Sequence, residues 1–330
     1  MDTSTHVAMG FGLAGLAYLD PAVSSNSELA NAVLLGTVIG SNAPDFDYVI
    51  KLVKGNGLYI EHHRGASHSI PALFLWTIFL SGILYLFSVS VPILPLMYWT
   101  FLAVSLHVLF DVFNAYGTQA GKPFTKKWLS LNFIPLFDPF IMLLHLVGFG
   151  GWLISGKPGP VFLIVYGVII CYLFERLISS RKIAKLVKFH MIDQVGKVTI
   201  IPTIFWNNWD VVFETANSYQ IGRVKQKKVI WIHKFGKHYS PSSVIDAARK
   251  DKDVRHFLAV SSHTHVVVIS SRTGYEVRFS DVRFRSKNHY PFMAVVKLNS
   301  DYEVLSSYTG WIHQPTQLNE KLSSQKQIST

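Results

Sequence analysis

The chain has 330 residues, of which 49% are hydrophobic and 15% charged, against about 25% charged in ordinary soluble domains. That balance excludes a disordered chain and a collagen-like fibre, and the single cysteine, Cys171, excludes an internal disulfide or a cysteine-built zinc site. Charge is uneven: residues 1–180 carry 8 basic and 9 acidic side chains (net −1), residues 181–330 carry 23 and 11 (net +12), which together give the overall +11.

In chain order, the apolar segments Val7–Leu19 and Leu29–Ala43 come first, both short and glycine-containing. They suit either a shallow or re-entrant helical pair or two further short spans. The N-terminus carries Asp2 and no basic stretch, so it does not read as a cleavable secretory signal. Between Ser67 and Asp111 there is no charged residue. At 1.5 Å per residue, about 20 apolar residues cross a hydrocarbon core, which predicts spans over Ile70–Val91 and Ile93–Phe113, with Pro92 and Pro95 at the turn. A third span is expected over Ile134–Ile154 and a fourth over Pro160–Ile178. Arg176, Arg181, Lys182, Lys185 and Lys188 flank the last one and direct the C-terminal half to the cytoplasm. Four spans return the N-terminus to the same side, together with the loop 114–133 and its Lys122, Lys126 and Lys127.

The basic half reads as a β-rich soluble domain, with strands over Val198–Phe205, Asp210–Tyr219, Val229–His233, His265–Ser270, Glu276–Phe284 and Phe292–Leu298. A short helix is expected over Pro241–Lys250, capped by Ser240, and a frayed polar tail after about Gln314. The expected architecture is an α-helical, multi-pass protein of the cell membrane. It has about four transmembrane helices plus short N-terminal apolar ones (1–180), followed by a β-rich cytoplasmic domain (181–330).

Six histidines fall in the N-terminal half: His6, His62, His63, His68, His107 and His145. Five of them are interleaved with Asp45, Asp47 and Asp111, and His with carboxylate is the donor set for zinc, manganese or iron. The sharpest local signal is His107-x3-Asp111: at i and i+4 both face one side of a helix, and Asn114 extends the stripe. An ionisable pair at the end of a span is costly to keep there without a function. Its structural alternative is a hydrogen bond that glues helices together. Pro44-Asp45-Phe46-Asp47 offers two carboxylates, one as a ligand and one as its orienting partner or a general base. His62-His63-Arg64-Gly65-Ala66-Ser67-His68 is a polar loop in which one of the adjacent histidines serves as ligand and the other as proton donor. Arg64 suits an anionic substrate oxygen. The expected metal ligands are His6, Asp45, His62, His107 and Asp111; the expected catalytic groups are Asp47, His63, Arg64 and His68, with His63 or His68 also eligible as a ligand. His145, deep in the third span, reads as a packing group, and Asp138-Pro139 as a helix start.

The ordered motifs Thr5-His6, Pro44-Asp45-Phe46-Asp47, His63-Arg64-Gly65 with His68-Ser69, and His107-x3-Asp111 resemble the membrane-bound metal-dependent hydrolases, also described as LexA-binding, inner-membrane-associated hydrolases. Tyr116-Gly117-Thr118-Gln119, Pro123-Phe124 and Asp138-Pro139 look like that family too, so the resemblance covers residues 1–180. It implies a helical membrane hydrolase with a divalent metal and does not supply a substrate. The order His6, Asp45, His62 or His63, His107-x3-Asp111 is also similar to the ligands of the zinc-dependent phospholipase C and single-strand nuclease group. The chain departs from that group in lacking a second His-x3-Glu, since Phe149 stands four residues after His145.

The reading that unites these features is a metal-dependent hydrolase, with zinc first and manganese or iron as alternatives, cleaving a phosphoester in a membrane lipid or other amphiphilic substrate. A second reading makes the basic domain the working part, binding nucleic acid or anionic lipid, with Trp206, Trp209, Trp231 and Tyr239 as stacking groups. A third, a transporter, is disfavoured because the polar residues gather at one face rather than along a path.

Overall fold

In a computed structural model of the full chain, residues 1–88, 90–237, 243–287 and 289–325 are described. The chain divides into two units, one of residues 1–46, 64–185 and 200–209, the other of residues 47–63, 186–199 and 210–330.

The first unit is helical. α1 (Thr3–Leu16) starts where Asp2 accepts a hydrogen bond from the Thr5 amide. After the short α2 (Pro21–Ser24), α3 (Ser27–Gly40) is capped by Asn26. α1 and α3 approach closely because Gly10 has no side chain: a Cβ there would lie 2.7 Å from Val38 Cα and 2.9 Å from the Thr37 carbonyl oxygen. A 3-10 segment, Ala43–Tyr48, follows α3. Beyond residue 63 the chain returns through a second one, Ala66–His68. The helices α6 (Ile70–Phe87), α7 (Ile93–Phe113), α8 (Pro139–Ser155) and α9 (Pro158–His190), the last as far as Lys185, complete this unit, with α4 (Val49–Lys54) and α5 (Asn56–His62) belonging to the other.

Among the described residues, three helices are long and apolar enough to cross a membrane: α6, α7 and α9. Only 22% of the α6 window is buried, so most of its apolar surface is available to lipid. The expected fourth crossing is shorter than predicted. Asp138 accepts from the amides of Phe140 and Ile141, so α8 begins there and not at Ile134. Its 17 residues rise about 25 Å against a core of about 30 Å. The helix that carries the last span extends past the predicted Pro160–Ile178, because α9 runs unbroken through the basic stretch to His190.

Residues 200–209, which include the turn between the first two strands of the basic half, group with the helices. Buried Arg176 of α9 donates from Nε to the Phe133 carbonyl at 3.1 Å and from Nη1 to the Trp206 carbonyl at 2.8 Å. Its guanidinium stacks 4.0 Å from the centre of the Trp209 ring. Trp209 is 2% exposed and Trp206 packs on Tyr172 and Phe140, which removes Trp209 as a base-stacking surface. Tyr239 lies outside the described residues.

The second unit holds two four-stranded sheets. β1 (Lys197–Pro202), β2 (Asn208–Glu214), β3 (Ser218–Lys225) and β4 (Lys228–Gly236) form the first in that order; β5 (Thr264–Ser271), β6 (Gly274–Asp281), β7 (Phe292–Leu298) and β8 (Val304–Trp311) form the second, an antiparallel meander. The expected strand Asp210–Tyr219 is two strands meeting at a turn, and β8 has no counterpart among the predicted strands. α10 (Ser243–Lys250) and α11 (Lys252–Val260) bury Val244, Ile245, Val254 and Phe257 against Val277, Phe279, Ala294 and Val296 of the second sheet. The expected cap Ser240 and first-turn Pro241 lie outside the described residues. The tail is not frayed up to Gln325: α12 (Pro315–Gln325) places Leu318 and Leu322 on one face and buries both against Met293, Val295 and Ile312. Two leucines spaced i, i+4 anchor an otherwise polar segment. Residues 47–63, as α4 (Val49–Lys54) and α5 (Asn56–His62), belong to this unit although they precede it in sequence by more than a hundred residues.

Candidate metal centre

The N-terminal half of the loop system and the ends of α6 and α7 bring four predicted side chains together. Asp45 comes from the 3-10 segment after α3, His68 from the turn before α6, and His107 and Asp111 from the last two turns of α7. His68, His107 and Asp111 are fully buried. Their ligating atoms and that of Asp45 all lie within 4.8 Å of one another. His68 Nε2 is 3.2 Å from His107 Nε2, 3.4 Å from Asp45 Oδ1 and 3.3 Å from Asp111 Oδ2. His107 Nε2 is 3.5 Å from Asp45 Oδ1 and 3.6 Å from Asp111 Oδ2. In a tetrahedral zinc site with bonds of about 2.0–2.1 Å, neighbouring donors stand about 3.3–3.4 Å apart. Five of the six donor–donor edges therefore have the length that a small cation requires.

The proton inventory agrees with the distances. His107 Nδ1 donates to the Ser41 carbonyl at 2.7 Å, which leaves Nε2 of the neutral ring with its lone pair turned into the cluster. His68 Nδ1 pairs with Ser67 Oγ at 2.9 Å and likewise turns Nε2 inward. Buried Asp45 Oδ1 and Asp111 Oδ2 make no hydrogen bond of good geometry. Lone pairs facing carboxylates repel unless positive charge lies among them. Burial alone would lower the His68 imidazole, but Asp111 and Asp45 outweigh it and raise it above its ordinary value. Burial would raise the Asp45 carboxyl, yet His107 and His68 hold it well below the usual carboxylate range. Both shifts come from the close packing of imidazoles against carboxylates, and the four donors are of the kind a divalent metal takes.

Further groups surround Asp111. Arg64 Nη2 stands 3.1 Å from Asp111 Oδ1, and its Nη1 donates to Asn114 Oδ1 at 3.1 Å. Arg64 has a left-handed backbone (φ 61°), and its carbonyl accepts from the Gln119 amide and the Thr118 hydroxyl, both at 2.9 Å. The Met1 nitrogen contacts Asp111 Oδ1 and lies 2.9 Å from His6 Nε2. His6 stacks on His107 with ring centres 3.9 Å apart and reaches Asp111 Oδ1 at 3.7 Å through Nε2.

Of the residues expected as ligands, the structure brings Asp45, His107 and Asp111 together and places His6 beside them, and His68, expected in a catalytic role or as a ligand, lies in the same group. His62 does not join them: it is exposed at the end of α5 in the other unit, where successive helical residues point about 100° apart. In that same unit, His63 Nδ1 pairs with Asp47 Oδ1 at 2.9 Å. Asp138 caps α8 and accepts from Tyr172 Oη at 2.7 Å, and His145 is buried with Nδ1 on the Ile141 carbonyl at 2.8 Å. The Ser41 carbonyl could not be found from the sequence, since a backbone group carries no residue signature. Asn114 was visible only as the extension of the His107–Asp111 stripe.

Two stretches of the chain match known families. Residues 1–183 match the family described as YdjM inner membrane protein, and residues 243–322 match the YfhP C-terminal alpha/beta plait domain. The chain is 43% identical over 323 residues to a curated Bacillus subtilis (strain 168) protein whose printed name is Uncharacterized protein YfhP, with 98% of each chain covered. No solved structure matches. The chain belongs to the YdjM inner membrane protein family and carries the plait domain of its YfhP relative at its C-terminal end.

Proposed function

We propose that this protein is a membrane-bound, metal-dependent hydrolase, with Asp45, His68, His107 and Asp111 as ligands and His6 beside them. The observation that carries this reading is the set of donor–donor distances of 3.2–3.6 Å within a buried cluster. A divalent metal bound there supplies a coordinated water with its pKa lowered toward about 7 and polarises the scissile oxygen. Ser41 fixes the tautomer of His107, and Arg64 and Asn114 fix the carboxylate of Asp111. Arg64 also places a buried positive charge beside the centre, which favours a substrate with anionic oxygens. His63, held through Nδ1 by Asp47 within the second unit, directly precedes Arg64 of the candidate centre in the chain, and Asp47 follows Asp45 by two residues. A phosphoester in a lipid or other amphiphile suits the location, because His68 precedes α6 and Asp111 closes α7, which puts the cluster at one end of a membrane-spanning hairpin.

We place this end and the basic domain in the cytoplasm. Arg181, Lys182, Lys185 and Lys188, on the continuation of α9 beyond its apolar part, support that side. It requires α8 to cross despite its length.

The test is elemental analysis of the detergent-purified protein beside its His107→Ala/Asp111→Ala variant, followed by hydrolysis assays on phospholipids and phosphodiesters. Zinc, manganese or iron near one equivalent, lost in the variant, is the expected result. Absence of metal from the wild type even after divalent ions are added back would reject the proposal.

A further inference from the structure

The segment between two of the ligands is built into the C-terminal domain. Residues 47–63 leave the first unit after Phe46 and rejoin it at Arg64, so Asp45 and His68 flank the excursion on either side. Within the second unit, α5 lies on α11 and β8. Asn56 Nδ2 donates to the Thr309 carbonyl, and Glu61 pairs with His256 Nδ1. Ile60 packs against the core formed by α10, α11 and the second sheet. Gly57 leaves no room for a side chain: a Cβ would lie 2.5 Å from Asp253 Oδ1 and 2.9 Å from His256 Cδ2. By sequence α5 falls inside the stretch matched by the membrane family, yet its partners fall inside the plait domain.

We infer that the plait domain is the support that sets the reach of the ligand-bearing chain, with Glu61 and His256 as positioning residues that act through α5. The inference rests on the metal-centre reading and assigns the C-terminal domain its part in it. A loop of this length free in solution must be closed each time its two ends meet at a cation, whereas a loop docked by α5 is closed beforehand. Releasing α5 therefore weakens metal binding without altering a ligand, by roughly tenfold or more for a loop of about twenty residues.

The experiment measures zinc affinity by chelator competition on the full-length protein in detergent, with hydrogen exchange over residues 47–63. The variants are Gly57→Leu, which wedges α5 away, and Glu61→Ala/His256→Ala, which removes the ion pair. Val277→Ala, on β6, thins the plait core while leaving every residue of α5 and its hydrogen-bond partners unchanged, and serves as the comparison. The expected result is a loss of affinity of about tenfold or more, with faster exchange in 47–63, in the first two and an unchanged affinity in Val277→Ala. Affinity within twofold of wild type in both α5 variants, or an equal loss in Val277→Ala, would overturn the inference. A wild-type protein that takes up no zinc is a different outcome, because it removes the metal centre itself.

Discussion

Replacing Asp111 with asparagine keeps the shape of the side chain and removes one negative charge from the middle of the cluster. Arg64 Nη2 at 3.1 Å and Asn114 Nδ2 at 3.3 Å still meet an oxygen at Oδ1, so the local packing is largely kept. Two unit charges 4 Å apart interact by about 4 kcal/mol at an effective dielectric near 20, and a divalent ion doubles the charge on one side. Desolvation of the carboxylate offsets part of this, and truncating one partner of a buried ionic cluster costs about 3–5 kcal/mol in practice. Zinc affinity should therefore fall by two to three orders of magnitude, about 3–4 kcal/mol. Asp111→Asn also weakens the metal-free protein, because Arg64 loses its counter-charge. The clean assay is thus the zinc-induced rise in stability of each protein over its own metal-free form. At a zinc concentration 100 times the wild-type Kd, the wild type gains about 2.7 kcal/mol and a variant weakened a hundredfold gains about 0.4 kcal/mol. Equal zinc-induced gains in the two proteins would refute the assignment of Asp111 as a ligand.

Three further outcomes follow from particular contacts. Gly10→Val drives a side chain into Val38 and Thr37 and should cost about 1–3 kcal/mol of stability while moving His6; thermal unfolding and zinc affinity measure both, and an unchanged melting temperature would contradict the close approach of α1 and α3. His62→Ala should leave zinc content at the wild-type level, whereas His68→Ala should abolish it, by elemental analysis; the reverse pattern would reject the placement of His68 as donor. Burial lowers the His265 imidazole below its ordinary value near 6.5, so the folded state keeps it neutral, and its contribution is present above pH 6.5 and lost as the pH falls toward the folded value. His265→Phe preserves the ring stacked 4.2 Å from Phe235 and removes the titration, so its melting temperature should fall less between pH 7 and pH 5 than that of the wild type.

The candidate centre was legible where two of its donor residues lie on one helix. His107 and Asp111 are four residues apart on α7, and their spacing alone puts them on one face. Asp45 and His68 were visible as residue types in polar segments, but not their order of importance. The sequence does not say which of His62, His63 and His68 turns inward, because that depends on where α5 ends. The Tyr59 carbonyl accepts from the His63 amide, closing the last helical turn, and the chain then takes a left-handed step at Arg64 before the turn that carries His68. The missed features share a cause. β8 and α12 are weakly patterned segments whose apolar residues matter only against a sheet formed elsewhere, as Leu318 and Leu322 do against Met293 and Val295.

The helix α5 is the extreme case of a segment decided by distant partners. Nothing in Asn56–His62 distinguishes it from a solvated loop beside the membrane, and the residues that hold it, Asp253, His256 and Thr309, lie some two hundred positions later. Hydrophobic periodicity reports a segment's own face and is silent about whose face it meets. A break in composition near residue 180 therefore marks a change of solvent along the chain, from lipid to water, and not the boundary between cooperating parts. Residues 47–63 of the second unit are drawn from between Asp45 and His68 of the first, and on the inference above a chain threaded in that way gives the plait domain a part in the construction of the candidate centre.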